Sequence, residues 1–403
     1  MPAATALPQP LSLPEYALKA KRTNRFENQE NELDKLRFGY VGEIGGLLSA
    51  VKKSGRDKLK EEESQLASEE LGDALWYLFA TAQQLEISPN DLGISCVKIV
   101  RKRFEENDID PSSPVSFRQI DGILDIHRES WDIVRSRQLG KLAQAAGILA
   151  DMSPIQLTSM ARPGLLTHFG NILADLAIAC ACFHLHLEDV ARENLEKIAS
   201  RWPWGAKEYP PLFDTDDEYP AYERFPRRFA ITFVERGGRL TGHVVQSLNG
   251  VFVGDRLTDN SNEPDDYRFH DIFHLAYIAY LGWSPVIRGL LKRKRKSNSK
   301  VDETEDGARA MIIEEGIATW IFNHAKVRNF YENVEDGTLE YGLLKQIRSM
   351  VDGYEVEKCK LWQWELAILR GFDAFRSLRQ HRGGTVTVDM LEHTLSYATP
   401  EIS

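Results

Sequence analysis

Apolar residues recur three and four apart over roughly 13–24, 30–53, 60–85 and 89–106, the period of helices with one buried face. Ser54-Gly55 breaks the second stretch and Ser88-Pro89 opens the fourth. In the third, Ala74, Leu75, Leu78, Phe79, Ala82 and Leu85 form the apolar side. Asp108 to Pro114 reads as a linker, and a second helical region runs from about 118 to 205. The Pro- and acid-rich stretch Tyr209 to Pro226, with Asp214, Asp216, Asp217 and Glu218, reads as another. Beyond it Phe229, Ile231 and Phe233 alternate, and Gly237-Gly238 and Asn249-Gly250 supply turns. This meander near 227–253 is the only convincing β-structure in the pattern. From Asp265 the period is helical to about Leu378, with a final amphipathic piece near Val388 to Tyr397.

The first two helical regions repeat one another. A shift of 98 residues pairs Gly42 with Gly140, Gly72 with Gly170, Leu85 with Phe183, Arg103 with Arg201 and Phe104 with Trp202, without a gap.

The chemistry-bearing stretch is Ser68-Glu69-Glu70-Leu71-Gly72-Asp73-Ala74-Leu75. Glu70 and Asp73 are three apart, so a helix projects both carboxylates from one face. Two hard oxygen ligands beside an apolar stripe suit Mg²⁺ or Mn²⁺ at a bundle seam. A surface carboxylate pair near a helix start fits the same spacing.

Upstream lies Leu36-Arg37-Phe38-Gly39-Tyr40-Val41-Gly42-Glu43-Ile44-Gly45-Gly46, then Lys52-Lys53. A Glu-bearing helix, a polar loop, then Glu-Leu-Gly-Asp and an aromatic-apolar run resemble the MazG-like all-α nucleoside triphosphate pyrophosphohydrolases. Leu13-Pro14-Glu15-Tyr16 resembles that family's first helix. The resemblance implies an acidic Mg²⁺ cage that cleaves a nucleotide between its α- and β-phosphates. Glu43, Glu70 and Asp73 fall on the metal-ligand positions. Gly46 stands where a Glu is expected, which leaves the cage a ligand short unless Glu69 or one of Glu61 to Glu63 replaces it. In the second region the ligand positions become Lys141, His168 and Asn171, so that copy is expected to be metal-free. Its last helix keeps Asn194 and Lys197, similar to the family's Asn-x-x-Lys ending, where the first copy has Cys96 and Ile99. Asn194, Lys197 and Lys53 are the substrate-binding candidates. Asn194 and Lys197 equally fit a plain exposed helix face.

The C-terminal region resembles the helical domain that follows MazG modules, without a catalytic motif to carry over. Its own polar cluster comprises His270, Asp271 and His274, with the histidines at i and i+4, a spacing that grips one metal. Glu314 and Glu315 sit on a later apolar helix. A zinc site, a hydrogen-bonded core network and a nucleotide-facing pocket all fit these residues. The basic run Lys292 to Lys300 precedes Asp302, Glu303, Glu305 and Asp306 and reads as a solvated, neutralised loop.

A net charge of −10 argues against broad nucleic-acid or membrane binding. Cys96, Cys180, Cys182 and Cys359 form neither a metal pattern nor a disulfide framework. Met1 to Pro14 lacks the plan of a signal peptide, and the apolar run Ile172 to Leu187 is too short to span a bilayer, so a cytoplasmic location is expected. No phosphate-binding glycine loop, dinucleotide fingerprint or serine elbow occurs.

The expected fold is mainly α: a MazG-like unit at 13–108, a degenerate copy at 118–205, and a C-terminal α-rich domain at 206–403 with the β-meander. The function implied by the resemblance is Mg²⁺-dependent nucleoside triphosphate pyrophosphohydrolysis, with Mn²⁺ as the alternative metal. The competing reading is a non-catalytic nucleotide sensor that signals through the C-terminal domain to a partner or a second copy.

Overall fold

The computed structural model describes residues 9–57, 61–107, 109–238 and 242–400, apart from the side chains of 54–57, 61–62 and 128–130. The chain is mainly α-helical and divides into two compact units, Met1–Trp204 and Gly205–Ser403.

The helices of the first unit are α1 (Leu13–Lys21), α2 (Glu32–Asp57), α3 (Glu61–Gln84), α4 (Pro89–Arg103), α5 (Phe117–Leu124), α6 (Trp131–Asp151), α7 (Pro154–Ser159), α8 (Arg162–Cys182) and α9 (Leu187–Arg201). Several begin at a serine whose hydroxyl accepts one of the orphan N–H groups of the first turn. Ser12 Oγ accepts from the Glu15 amide at 3.2 Å and Ser88 Oγ from Asp91 at 3.3 Å, each with a proline in the first turn. At α5 and α7, Ser116 with Gln119 and Ser153 with Gln156 close reciprocal capping boxes.

Residues from Leu11 to Ile198 share one hydrophobic core, in which α2 packs on α3 and α6, α4 on α8, and α3 on α9. Helix α8 is the centre, buried without interruption from Phe169 through Cys182 apart from the half-buried Asn171. It extends back past Ile172, which makes it long and apolar enough to cross a membrane, yet 78% of that window is buried inside the protein. Two helix crossings correspond. Gly72 of α3 lies against Asn194 of α9, where an added Cβ would come within 3.1 Å of the Asn194 Cβ. Gly170 of α8 lies against Ser95 of α4, where a Cβ would meet Oγ at 2.3 Å. A shift of 98 residues carries Pro89–Arg103 onto Leu187–Arg201 and the end of α3 onto the end of α8.

The second unit contains β1 (Arg228–Arg236), β2 (His243–Leu248), β3 (Val251–Leu257), α10 (Asp271–Leu281), α11 (Pro285–Leu290), α12 (Ser299–Thr304), α13 (Ala308–Lys326), α14 (Tyr341–Met350), α15 (Leu361–His381), β4 (Gly383–Asp389) and β5 (Thr394–Ala398). The sheet is antiparallel in the order β3-β2-β1-β4-β5. The meander is therefore only part of it. The piece near 388–397 is strand, because Thr385-Val386-Thr387-Val388 alternates in register with β1, Ile231 opposite Val386 and Phe229 opposite Val388. Those side chains are buried in one core with α10 and α15, and α10 is buried at every position.

The stretch 209–226 is not a free linker. Asp214 is fully buried: Oδ2 accepts from the Phe225 amide at 2.8 Å and from Arg288 at 2.9 Å, and Oδ1 pairs with Arg227 at 2.5 Å. The basic run is likewise anchored rather than wholly solvated. Arg295, 1% exposed, pairs with Asp306 and Glu355, each at 2.7 Å. The Ser297 amide donates to Glu223 at 3.0 Å. Removing one member of such a buried network strands its partners without solvent. Asp214→Ala is therefore expected to destabilise the second unit by about 3–5 kcal/mol in denaturant unfolding, whereas Asp216→Ala, at a mostly exposed side chain, should change it by about 0.5 kcal/mol or less.

Candidate active site

Packing of α2 on α3 brings Glu43 to the face of Glu70 and Asp73. All three are half-buried. Glu43 hydrogen-bonds to Glu70, and its carboxyl is raised to about 8 by burial, then by the charges of Asp73 and Glu70, with Lys197 opposing. Three carboxylates crowded into one seam thus keep a proton at neutral pH. Tyr77 borders the same group and is raised to about 12 by burial and by Glu43 and Asp73.

The second half of the unit reaches this seam through α9. Asn194 Nδ2 donates to Asp73 Oδ1 at 3.0 Å, and Lys197 Nζ pairs with Asp73 Oδ2 and lies 3.6 Å from Glu69. Asn194 is buried, and its Oδ1 accepts from the Tyr16 hydroxyl at 2.9 Å. Tyr16, wedged edge-on between Phe79 and Phe117, thereby fixes which end of the amide faces Asp73. Sequence reasoning did not assign Tyr16 this task, because its partner lies 178 residues away.

Gly46 has a definite neighbour. An added Cβ would stand 2.2 Å from Glu70 Oε2 and 2.7 Å from its Cδ, so the Glu70 carboxylate occupies the space over residue 46. A Glu at 46 would have to displace Glu70 before it completed any cage. Of the substitutes considered, Glu69 faces Lys197, Glu63 pairs with Arg135 of α6, and the side chains of Glu61 and Glu62 lie outside the described residues. Lys53 is exposed, ten residues beyond Glu43 on α2, about 15 Å along the axis. The structure does not bring it to the carboxylates.

The corresponding seam of the second half has different chemistry. Lys141 is exposed, burial lowers the His168 pKa, and Asn171 accepts from Arg103 at 2.9 Å. The carboxylate seam suits a hard divalent cation: its donors are oxygens, and its crowded charge already holds a proton where a cation would neutralise it.

In the second unit, one potential ligand atom from each of His270, Asp271 and His274 lies within 4.8 Å of the other two. Glu315 Oε2 of α13 is 3.5 Å from His274 Nε2 and 4.0 Å from His270 Nε2. Glu314 is fully buried and accepts from His274 Nδ1 and the Val286 amide, both at 2.8 Å.

Residues 208–401 match the family model of the MazG C-terminal domain, which supports a MazG-related chain; the match lies within the second unit. No significant match is found among curated proteins or solved structures.

The carboxylate seam has a pH signature. In metal-free protein the folded state holds the Glu43 proton up to about pH 8, whereas the unfolded chain releases it near 4.5. The stability linked to this group is full below the lower value and is lost as pH rises through the upper one. Melting in chelator should show a midpoint that falls across this window, with Glu70, Asp73, Lys197 and Tyr77 facing the group. Glu43→Gln should flatten that slope, and an unchanged slope would refute the shared proton.

Proposed function

We propose that the chain hydrolyses a nucleoside triphosphate between its α- and β-phosphates, at the seam of Glu43, Glu70 and Asp73. Water adds to phosphorus, the anhydride oxygen leaves with pyrophosphate, and the nucleoside monophosphate remains. The carrying observation is the seam itself: three half-buried carboxylates from α2 and α3, crowded enough to retain a proton, with an Asn and a Lys from α9 against them. The match at 208–401 supports a MazG-related role but lies outside these residues.

Glu43, Glu70 and Asp73 would hold Mg²⁺ or Mn²⁺, which supplies neutralisation of phosphate charge and a lowered pKa for the attacking water. Asn194 holds Asp73 in orientation, and Tyr16 holds Asn194. Lys197 is the positive charge nearest the carboxylates, placed to exchange Asp73 for a substrate phosphate as a point charge. Gly46 leaves room for the Glu70 carboxylate.

The first unit is best read as two copies of one helical module with one composite site. The shared shift of 98 and the matching glycine crossings, α3 on α9 and α8 on α4, support it. One copy supplies carboxylates and the other supplies Asn194 and Lys197. The ion pair between Lys197 and Asp73 also favours a second reading, a nucleotide sensor in which ligand phosphates draw the lysine away without turnover.

Pyrophosphate release from a panel of nucleoside triphosphates with Mg²⁺ separates the two readings. Turnover is expected, with Glu70→Gln and Asp73→Asn each reducing it about a hundredfold or more. Binding without release favours the sensor, and unchanged turnover in both variants removes the site. Gly46→Ala offers a sharper test. It should stabilise α2 by up to about 1 kcal/mol while its methyl displaces the Glu70 carboxylate and lowers turnover. A more stable variant with undiminished turnover would show that Glu70 is not needed where it sits.

A further inference from the structure

His270 Nδ1 lies 2.9 Å from the Tyr267 carbonyl oxygen, which only accepts hydrogen bonds, so Nδ1 carries the hydrogen. In the neutral ring Nε2 then presents a lone pair, 3.1 Å from Asp271 Oδ1. His274 is arranged in the same way. Its Nδ1 faces the buried Glu314 carboxylate at 2.8 Å, while Nε2 is buried without a hydrogen-bond partner, 3.5 Å from Glu315 Oε2. Two imidazole lone pairs thus face two carboxylates. Such a constellation needs either two added protons or one divalent cation between its members.

The distances accommodate the cation. Four donors about 2.0–2.1 Å from a tetrahedral metal stand about 3.3 Å apart. The three separations named for the donor atoms, 3.1, 3.5 and 4.0 Å, bracket that value. The outer contacts also resemble those of a metal centre, where each ligand's far atom is held by a second group. Tyr267 O holds His270 and Glu314 holds His274, while Gln246 of β2 donates to Asp271 Oδ2. Glu314 is in turn fixed by the Val286 amide. Only the Glu315 side chain, 43% exposed, opens toward solvent and offers an entry path.

We propose that His270 Nε2, His274 Nε2, Asp271 Oδ1 and Glu315 Oε2 form a site for a divalent first-row transition metal of the zinc class. Two imidazoles select against Mg²⁺, which prefers an all-oxygen shell, and two carboxylates balance the metal's charge. This site stands apart from the proposed hydrolysis, since none of its residues belongs to the carboxylate seam.

The test uses the full chain, stripped with chelator and dialysed, then titrated calorimetrically with Zn²⁺ and separately with Mg²⁺. Co²⁺ serves as a spectroscopic probe. One tight equivalent of Zn²⁺ is expected, distinct from weaker binding at the carboxylate seam; it should raise the melting midpoint and be replaceable by Co²⁺ with the intense visible bands of tetrahedral coordination. Glu315→Gln, at a partly exposed position that should not disturb folding, is expected to weaken Zn²⁺ about a hundredfold, and His270→Gln at least as much. Glu70→Gln should leave the tight Zn²⁺ equivalent unchanged. Absence of tight Zn²⁺ binding by folded wild-type protein would overturn the proposal, as would retention of full affinity by folded Glu315→Gln or loss of the tight equivalent in Glu70→Gln. If Zn²⁺ binds no tighter than Mg²⁺, the assignment to a transition metal fails.

Discussion

The constraint on which the first unit turns is the burial of Glu43 in a half-dry seam, compounded by the charges of Asp73 and Glu70. Like charges placed this close do not all ionise unless something positive shares the space. The fold answers in two ways. It leaves a proton on Glu43, and it brings the Lys197 ammonium from α9 onto Asp73. Neither is a strong stabiliser: the proton is available only below about pH 8, and a partly exposed ion pair contributes about 1 kcal/mol or less. A sequence selected for stability alone would replace the trio with apolar residues, which often costs nothing. That the seam instead combines crowded carboxylates with a movable cation is the physical ground for treating it as a site.

On the proposed two-copy reading, duplication would account for how one chain builds such a seam. In this chain the acidic face of α2 and α3 meets a single lysine and an amide of α9, Lys197 and Asn194, from the other half of the unit. On that reading the second seam would be free to lose carboxylates that are expensive to keep buried. At the second seam Asn171 stands 98 residues on from Asp73, and Arg103, 98 residues before Arg201, donates to it. A neutral amide with a guanidinium donor avoids the charge crowding entirely.

Local order was largely legible in the chain. The four helical periods and the Ser88-Pro89 start reflect rules that act within a turn or two, and α4 begins at Pro89. What was not legible depends on distant partners. Tyr209 to Pro226 reads as a linker because its charges look solvated, and distant partners show otherwise, Arg288 on Asp214 and Ser297 on Glu223, each 74 residues away. The strand character of Thr385 to Val388 is hidden by its shortness until β1 is placed beside it. Gly46 reads as a gap in a ligand set, and no one-dimensional pattern reveals a carboxylate lying over it. The His270–His274 spacing was visible, but the hydrogen bonds that fix the ring tautomers come from Tyr267 O and Glu314.

The two proposed cation sites differ in the way that metal selectivity requires. Divalent affinities for a given ligand set rise from manganese to copper and fall again at zinc, so discrimination rests on donor type and rigidity. The carboxylate seam offers oxygen donors on flexible side chains, with a lysine in competition, which suits a cation that arrives with substrate phosphates and leaves with product. The histidine cluster offers buried imidazoles held by second contacts, which suits an ion that stays. If both proposals hold, pairing imidazole with carboxylate would make the second unit the stronger sink for scarce transition metals. The softer, rarer ion would then be drawn away from the seam, and the oxygen donors would be left to the abundant hard cation. Separate donor types are what a chain that uses both metals would need to keep each from the other's place.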